Sequence, residues 1–307
     1  MLKRKTRRPA LVLTASVCFL LGNGFALADN IYVSNFTNNT IEVFNSSGQG
    51  IRFASTGLAG PAGLAFSGGN LYVANFTNNT IEKFDSSGHG TLFANVGLAE
   101  PAGLAFDPSG RFLYVANYSN STIEVFNSAG HGSVFASTGL SGPLSLAFDP
   151  GGNFLYVANA KNSTIERFNS SGIGTTFATI ASGVNVPGGL AFDSSGNLYV
   201  SNTGVDSPDP DSIVRFTPSG VGTSFASGLS QPAGLAFDSS GNLYEADYGT
   251  STVKKFGANG SGSVFASSGL FGPVFVAVQV PEPVSWTLVA LGGIGFLGAC
   301  RVRHRRL

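Results

Sequence analysis

The chain has 307 residues, 43% of them hydrophobic, with 42 glycines and only 11% charged side chains; this composition suits many short strands and tight turns and leaves no credible helix outside the two ends. Formal charge is zero overall, but five basic residues precede Asp29 and four follow Val280, so the body between them carries eight basic against sixteen acidic side chains, a net −8. An acidic body without a basic stripe is a poor partner for nucleic acid, and because that body has no cysteine, disulfides contribute nothing to its fold.

At the start of the chain, Lys3, Arg4, Lys5, Arg7 and Arg8 precede an apolar stretch from Ala10 to Leu21, and Ala26-Leu27-Ala28 offers small residues for cleavage. Residues 1–28 therefore read as a signal peptide with a short apolar helix. Thr6-Arg7-Arg8 touches the twin-arginine pattern, but Pro9-Ala10 departs from it, which favours the general secretory route. Cys18 follows Val17 inside the apolar stretch, where no lipoprotein cleavage box is formed, and reads as filler.

From Asp29 onward one unit repeats. Tyr32, Tyr72, Tyr114, Tyr156, Tyr199 and Tyr244 recur at separations of 40, 42, 42, 43 and 45 residues, the length of a four-stranded propeller blade. In the best-spaced copy a strand after a proline, Pro101-Ala-Gly-Leu-Ala-Phe106, turns through Asp107-Pro-Ser-Gly110 into Phe112-Leu-Tyr-Val-Ala116. Asn117-Tyr-Ser-Asn-Ser-Thr122 then turns into Ile123-Glu-Val-Phe126, and Asn127-Ser-Ala-Gly130 into Ser133-Val-Phe-Ala136. Apolar alternation bounded by Gly, Asn and Ser is the pattern of antiparallel hairpins. The body opens on the second strand of a unit, Ile31-Tyr-Val33, and closes on a lone first strand, Pro273-Val-Phe-Val-Ala-Val278. The prediction is an all-β, six-bladed β-propeller over residues 29–280, made of four-stranded antiparallel blades and closed by the last strand pairing with the first three.

The pattern Pro-x-Gly-Leu-Ala-Phe-Asp followed by Ser-Gly-Asn-Leu-Tyr, cleanest from Pro232 to Asp247, resembles NHL repeats and the six-bladed propellers of the gluconolactonase group. The resemblance implies the fold; it leaves function open, since propellers serve as enzymes, receptors and scaffolds. Lactonases of that group carry metal-binding side chains around the channel, including an Asn directly after the first-strand proline. Here those places hold Ala62, Ala102, Leu144, Gly188, Ala233 and Val274, none of which ligates a metal.

Other acid, base and ligand candidates are few. His89 and His131 fall in equivalent Gly-His-Gly turns between third and fourth strands, at the rim of a blade and far from a channel. Asn35, Asn75, Asn117, Asn159, Asn202 and Asp247 end the second strand of each unit and read as a repeated turn device. Glu245 stands where five copies carry valine, and is read as a substitution at a partly wet edge that Lys254 and Lys255 neutralise; a placed acid with a raised pKa is the other reading. Asn35, Asn38, Asn75, Asn78, Asn117, Asn120 and Asn162 each begin an Asn-x-Ser/Thr triplet, read as turn chemistry with glycan attachment left open.

Two insertions break the repeat: Ile180 to Val186 before Pro187, and Thr203 to Ser212 after Asn202. Both are of the kinds of connection that emerge on one side of the disc, so they are expected to meet there as a ligand-docking patch with Asn185, Asn202, Asp206, Asp209 and Asp211. The three aspartates, held apart by prolines, are candidate oxygen ligands for Ca²⁺, the one cofactor the sequence points to.

At the far end, Val284 to Cys300 carries no charge and is followed by Arg301, Arg303, Arg305 and Arg306, the pattern of a membrane span with a cytoplasmic basic end. Preceded by Pro281-Glu282-Pro283, residues 281–307 resemble the PEP-CTERM sorting signal of bacteria. That resemblance implies recognition by an exosortase, transient membrane association, loss of the tail and delivery to the cell surface or matrix. The expected function is thus a non-enzymatic surface propeller that binds a polysaccharide or a surface protein. A divergent lactonase-like hydrolase is the alternative.

Overall fold

A proline has no N–H for a central ladder and belongs at the first residue of a strand; here it marks the start of every innermost strand. The computed structural model describes residues 29–204 and 211–279. The signal peptide, the terminal apolar helices, the sorting residues Pro281, Glu282, Pro283, Arg301, Arg303, Arg305 and Arg306, and the loop residues Asp206 and Asp209 all lie outside the described residues.

The chain begins with β1 (Asn30–Asn35), β2 (Thr40–Phe44) and β3 (Gly50–Ala54). The second blade is β4 (Pro61–Ser67), β5 (Asn70–Asn75), β6 (Thr80–Phe84) and β7 (Gly90–Ala94). The third is β8 (Pro101–Phe106), β9 (Leu113–Asn117), β10 (Thr122–Phe126) and β11 (Gly132–Ala136). The fourth is β12 (Pro143–Phe148), β13 (Leu155–Asn159), β14 (Thr164–Phe168) and β15 (Gly174–Ala178). The fifth is β16 (Pro187–Phe192), β17 (Leu198–Asn202), β18 (Ser212–Phe216) and β19 (Gly222–Ser227), entered through a short 3-10 turn at Ile180–Ser182. The sixth is β20 (Pro232–Phe237), β21 (Leu243–Asp247), β22 (Thr252–Phe256) and β23 (Gly262–Ala266), and β24 (Pro273–Gln279) follows.

These strands form six four-stranded antiparallel sheets, and the first sheet has the order β24-β1-β2-β3. β24 pairs with β1 from Asn30↔Gln279 to Asn35↔Pro273, closing the ring as the split repeat predicts. The Tyr32 hydroxyl donates to Gln279 Oε1 at 3.1 Å across this joint. Asn30 and Gln279, at the two ends of the described chain, are register partners and so lie on one face, with the turns between first and second strands. The connections after β1, β5 and their equivalents lie on the opposite face.

The core consists of six layers between neighbouring blades. In one of them Tyr72, Ala74 and Ile81 of the second blade meet Leu113, Val115 and Phe126 of the third. The repeated tyrosine is the hub: Tyr72 packs edge-on against Phe93 at 5.0 Å and Phe106 at 4.9 Å. Each fully buried phenylalanine such as Phe126 contributes about 1.5–3 kcal/mol by leaving water.

Two glycines show why blades approach so closely. At Gly103 of the Pro-x-Gly motif a Cβ would come 2.6 Å from the Leu144 carbonyl oxygen of the next innermost strand. At Gly130 the backbone has φ 75°, and a Cβ would meet the Phe93 carbonyl oxygen of the preceding blade at 2.1 Å.

Candidate binding site at the channel mouth

The residue after each opening proline points to the mouth of the central channel. Ala62, Ala102, Leu144, Gly188, Ala233 and Val274 line a cavity of about 160 Å³ there, joined by Phe36, Phe76 and Phe275. Its wall is almost wholly apolar, so an occupant gains from leaving water rather than from directed hydrogen bonds.

Around this mouth runs an aromatic crescent that the sequence reading missed. The residue following the Asn or Asp at the end of the second strand is Phe36, Phe76, Tyr118 and Tyr248 in four blades. Phe36 and Phe76 lie 5.9 Å apart edge-on, and Phe76 and Tyr118 lie 6.1 Å apart. Lys161 extends the arc, its Nζ 4.3 Å from the centre of the Tyr118 ring. The signal was present as an aromatic recurring after a turn asparagine, where a solvated turn has no need of one.

The asparagines beneath the crescent are committed to structure. Asn117 Nδ2 donates to the Gly97 carbonyl at 2.9 Å and to Thr122 Oγ1 at 3.1 Å, while its Oδ1 accepts from the Ala99 N–H. Asn35, Asn75 and Asn159 repeat the arrangement, each fully buried. Asn202, read as a ligand-binding residue, does the same work: its Oδ1 accepts from the Asn185 N–H at 3.0 Å and its Nδ2 donates to Gly183 O at 2.8 Å. The first inserted loop is thus tied to the end of β17, Thr203 N–H and Oγ1 also donate to the Val186 carbonyl, and Asn185 and Asn202 line a cleft of about 390 Å³ with Ile180 and Val214. Asp211 Oδ2 accepts from the Gln231 N–H, which ties it to the next interblade loop.

Burial also separates the Asn-x-Ser/Thr triplets. Asn35, Asn75 and Asn117 are buried and inaccessible to modification, whereas Asn38, Asn78, Asn120 and Asn162 accept a hydrogen bond from the threonine two residues on at 2.9 Å each. His89 and His131 are exposed in rim turns. Among the described residues no three His, Cys, Asp or Glu side chains cluster as metal ligands.

The partly wet edge expected for Glu245 is corrected. Glu245 is fully buried and neither carboxyl oxygen has a hydrogen-bond partner. It sits two residues from Leu243 on the same face of β21, in the layer where Leu243 packs with Tyr199, Ile213 and Leu235. Burial, and secondarily the charge of Asp247, push its carboxyl up to about 8, with Lys254 opposing weakly. Neither lysine serves it as an ion-pair partner: Lys254 pairs with Asp247, and Lys255 lies 3.5 Å from Asp238.

The family model described as lactonase, 7-bladed β-propeller, matches residues 95–193, less than half of the chain. The matched stretch covers blades of a ring that here has six sheets. No curated protein matches the chain. Among solved structures, the nidogen/laminin complex contains a chain that superposes with a TM-score of 0.73 at 20% identity, covering 83% of this chain and 100% of that one. Streptogramin B lyase gives 0.62 at 15% identity, covering 77% and 79%. A catalytically inactive virginiamycin B lyase from Staphylococcus aureus, with a histidine replaced by alanine and quinupristin present, gives 0.62 at 17% identity, covering 82% and 88%. At these identities the likeness is one of fold.

Proposed function

We propose that this chain is an exported propeller that acts at the cell surface or in the matrix as a non-enzymatic binding module, its ligand presenting an apolar group of side-chain size to the channel mouth. The observation that carries this reading is the mouth itself: six apolar residues after six prolines, lined also by Phe36 and Phe76, with Tyr118 beside Phe76. The mouth lies on the face opposite Asn30 and Gln279, the two ends of the described chain. A polysaccharide or a surface protein is the partner class, and an exosortase-type enzyme is the processing partner implied by Pro281-Glu282-Pro283 and the arginines beyond it.

A lactonase-like hydrolase is the second reading, favoured by the family match over residues 95–193. It calls for polar reacting groups in the cavity, whereas the residues that line it are apolar, and among the described residues the two histidines, His89 and His131, lie in exposed rim turns rather than where the histidine of the S. aureus lyase would have to correspond. The experiment is a glycan, peptide and metabolite binding screen on the purified protein, run beside a lactone hydrolysis assay with and without divalent metal. Saturable binding abolished by Phe76→Ala supports the module. Metal-dependent turnover well above background overturns it.

A further inference from the structure

Three neighbouring positions all depart from the repeat in the sixth blade. Five blades carry valine where this one has Glu245, and five carry asparagine where it has Asp247. Four carry glutamate (Glu42, Glu82, Glu124, Glu166) and one Val214 where it has Lys254. Glu245 and Asp247 project from the same face of β21, and Lys254 is the register partner of Glu245 on β22, a spacing that brings facing side chains into contact. Lys254 Nζ and Asp247 Oδ2 form an ion pair, with the Asp247 side chain fully buried and that of Lys254 17% exposed. The remaining lone pairs of Asp247 are held: Oδ1 accepts from Thr250 N–H at 3.1 Å and Thr250 Oγ1 at 2.7 Å, and Oδ2 from Ser230 N–H at 3.1 Å. Beside this pair stands the unpartnered carboxyl of Glu245.

We propose that Lys254 and Asp247 condense to an intramolecular isopeptide bond across β21 and β22, with Glu245 as the proton carrier. In water an ammonium is no nucleophile and a carboxylate no electrophile. Against the raising effect of its burial, hydrogen bonds from Lys254 and Thr250 hold the Asp247 carboxyl below its ordinary range, so the pair rests charged, and the reaction starts with transfer of one proton from Nζ to Oδ2, which gives a neutral amine and a neutral acid. The Nζ lone pair then attacks Cγ, and the negative charge that develops on Oδ1 falls between the two Thr250 donors, an oxyanion arrangement already in place. Glu245 gives its proton to the Oδ2 hydroxyl, which departs as water as the Cγ–Oδ2 bond breaks. The new N–H group returns a proton to Glu245. One amide and one water form, no redox partner is needed, and Glu245 ends as it began. Burial keeps Glu245 protonated up to pH of about 8, as a proton donor requires. In the other five blades each partner is missing, so one bond forms per chain.

Peptide mapping of the purified full chain tests this. Cleavage after Arg215 releases a peptide that, when bonded, runs to Lys255 because Lys254 is blocked, weighs one water less than its sequence, and gives no fragments between residues 247 and 254. Lys254→Arg and Glu245→Val restore the sequence mass; the second carries the residue of the other five blades and keeps the fold. A wild-type peptide at full mass overturns the proposal. Loss of water in both wild type and Glu245→Val overturns the role of Glu245.

Discussion

Asn117 and Gly97 join two blades through one hydrogen bond: Asn117 Nδ2 at the end of β9 donates to the carbonyl of Gly97 in the loop arriving from β7, at 2.9 Å. The same amide accepts from Ala99 N–H, so a single side chain fixes the crossing segment to the blade it is about to enter. Asn117 is fully buried, and Asn117→Ala removes its bonds to Gly97, Ala99 and Thr122 together. The expected loss is about 2–3 kcal/mol of unfolding free energy, read from the shift of the urea midpoint. A midpoint within error of wild type would mean that these bonds are replaced by water and carry no stability.

Closure of the ring through β24 makes a second prediction. Removing the chain from Phe271 onward strips the first blade of its innermost strand and exposes the ladder of β1, along with the side of β20 and β4 that β24 covers. The truncated protein should aggregate or unfold without a single cooperative transition. A sharp transition at the wild-type temperature would show that β24 is dispensable.

Glu245 gives a pH dependence whose sign follows from linkage. Its carboxyl rises from an ordinary 4.5 to about 8 on folding, so between those values the folded chain holds a proton that the unfolded chain has released. Stability from this group is complete below pH 4.5, declines across the window by up to tenfold in the folding constant per pH unit, and is gone above about 8. Glu245→Val removes that decline, so its unfolding midpoint should hold level from pH 5 to 8 while that of wild type falls. Denaturation curves at half-unit steps from pH 5 to 9 decide it, and parallel curves for the two proteins would sink the argument.

The fold was legible because its determinants are local and repeated. Six prolines, six tyrosines, and five turn asparagines with Asp247 in the sixth place fix strand starts, layer hubs and loop anchors, and the odd order of the first and last strands announced how the ring closes. The site was less legible because it is assembled from single residues of six distant repeats. Phe36, Phe76, Tyr118 and Tyr248 lie in turns, where alternation gives no guide to what they face. Glu245 was visible as a departure, yet its environment was not: whether a second-strand residue faces a wet edge or an interblade layer depends on the neighbouring blade, through Tyr199 and Ile213. Asn202 stood out beside an inserted loop, but its amide is spent on that loop.

The mouth yields the last prediction. Leu144 is partly exposed at the start of β12 and lines the apolar cavity beside Ala102 and Gly188. Leu144→Asp places a carboxylate where the occupant should bury an apolar group, so binding then requires stripping water from a charge without a partner. Affinity for whatever ligand the screen returns should fall at least about tenfold, as expected for a residue at the centre of a desolvated contact. The melting temperature should move little, since the site is open to solvent in the free protein. Phe76→Ala should weaken binding in the same direction by removing one wall of the pit. His131→Ala, in an exposed turn of the opposite face, should leave affinity unchanged and serves as the control. Titration calorimetry on the three variants distinguishes the outcomes, and a Leu144→Asp protein that binds as tightly as wild type would place the ligand elsewhere on the ring.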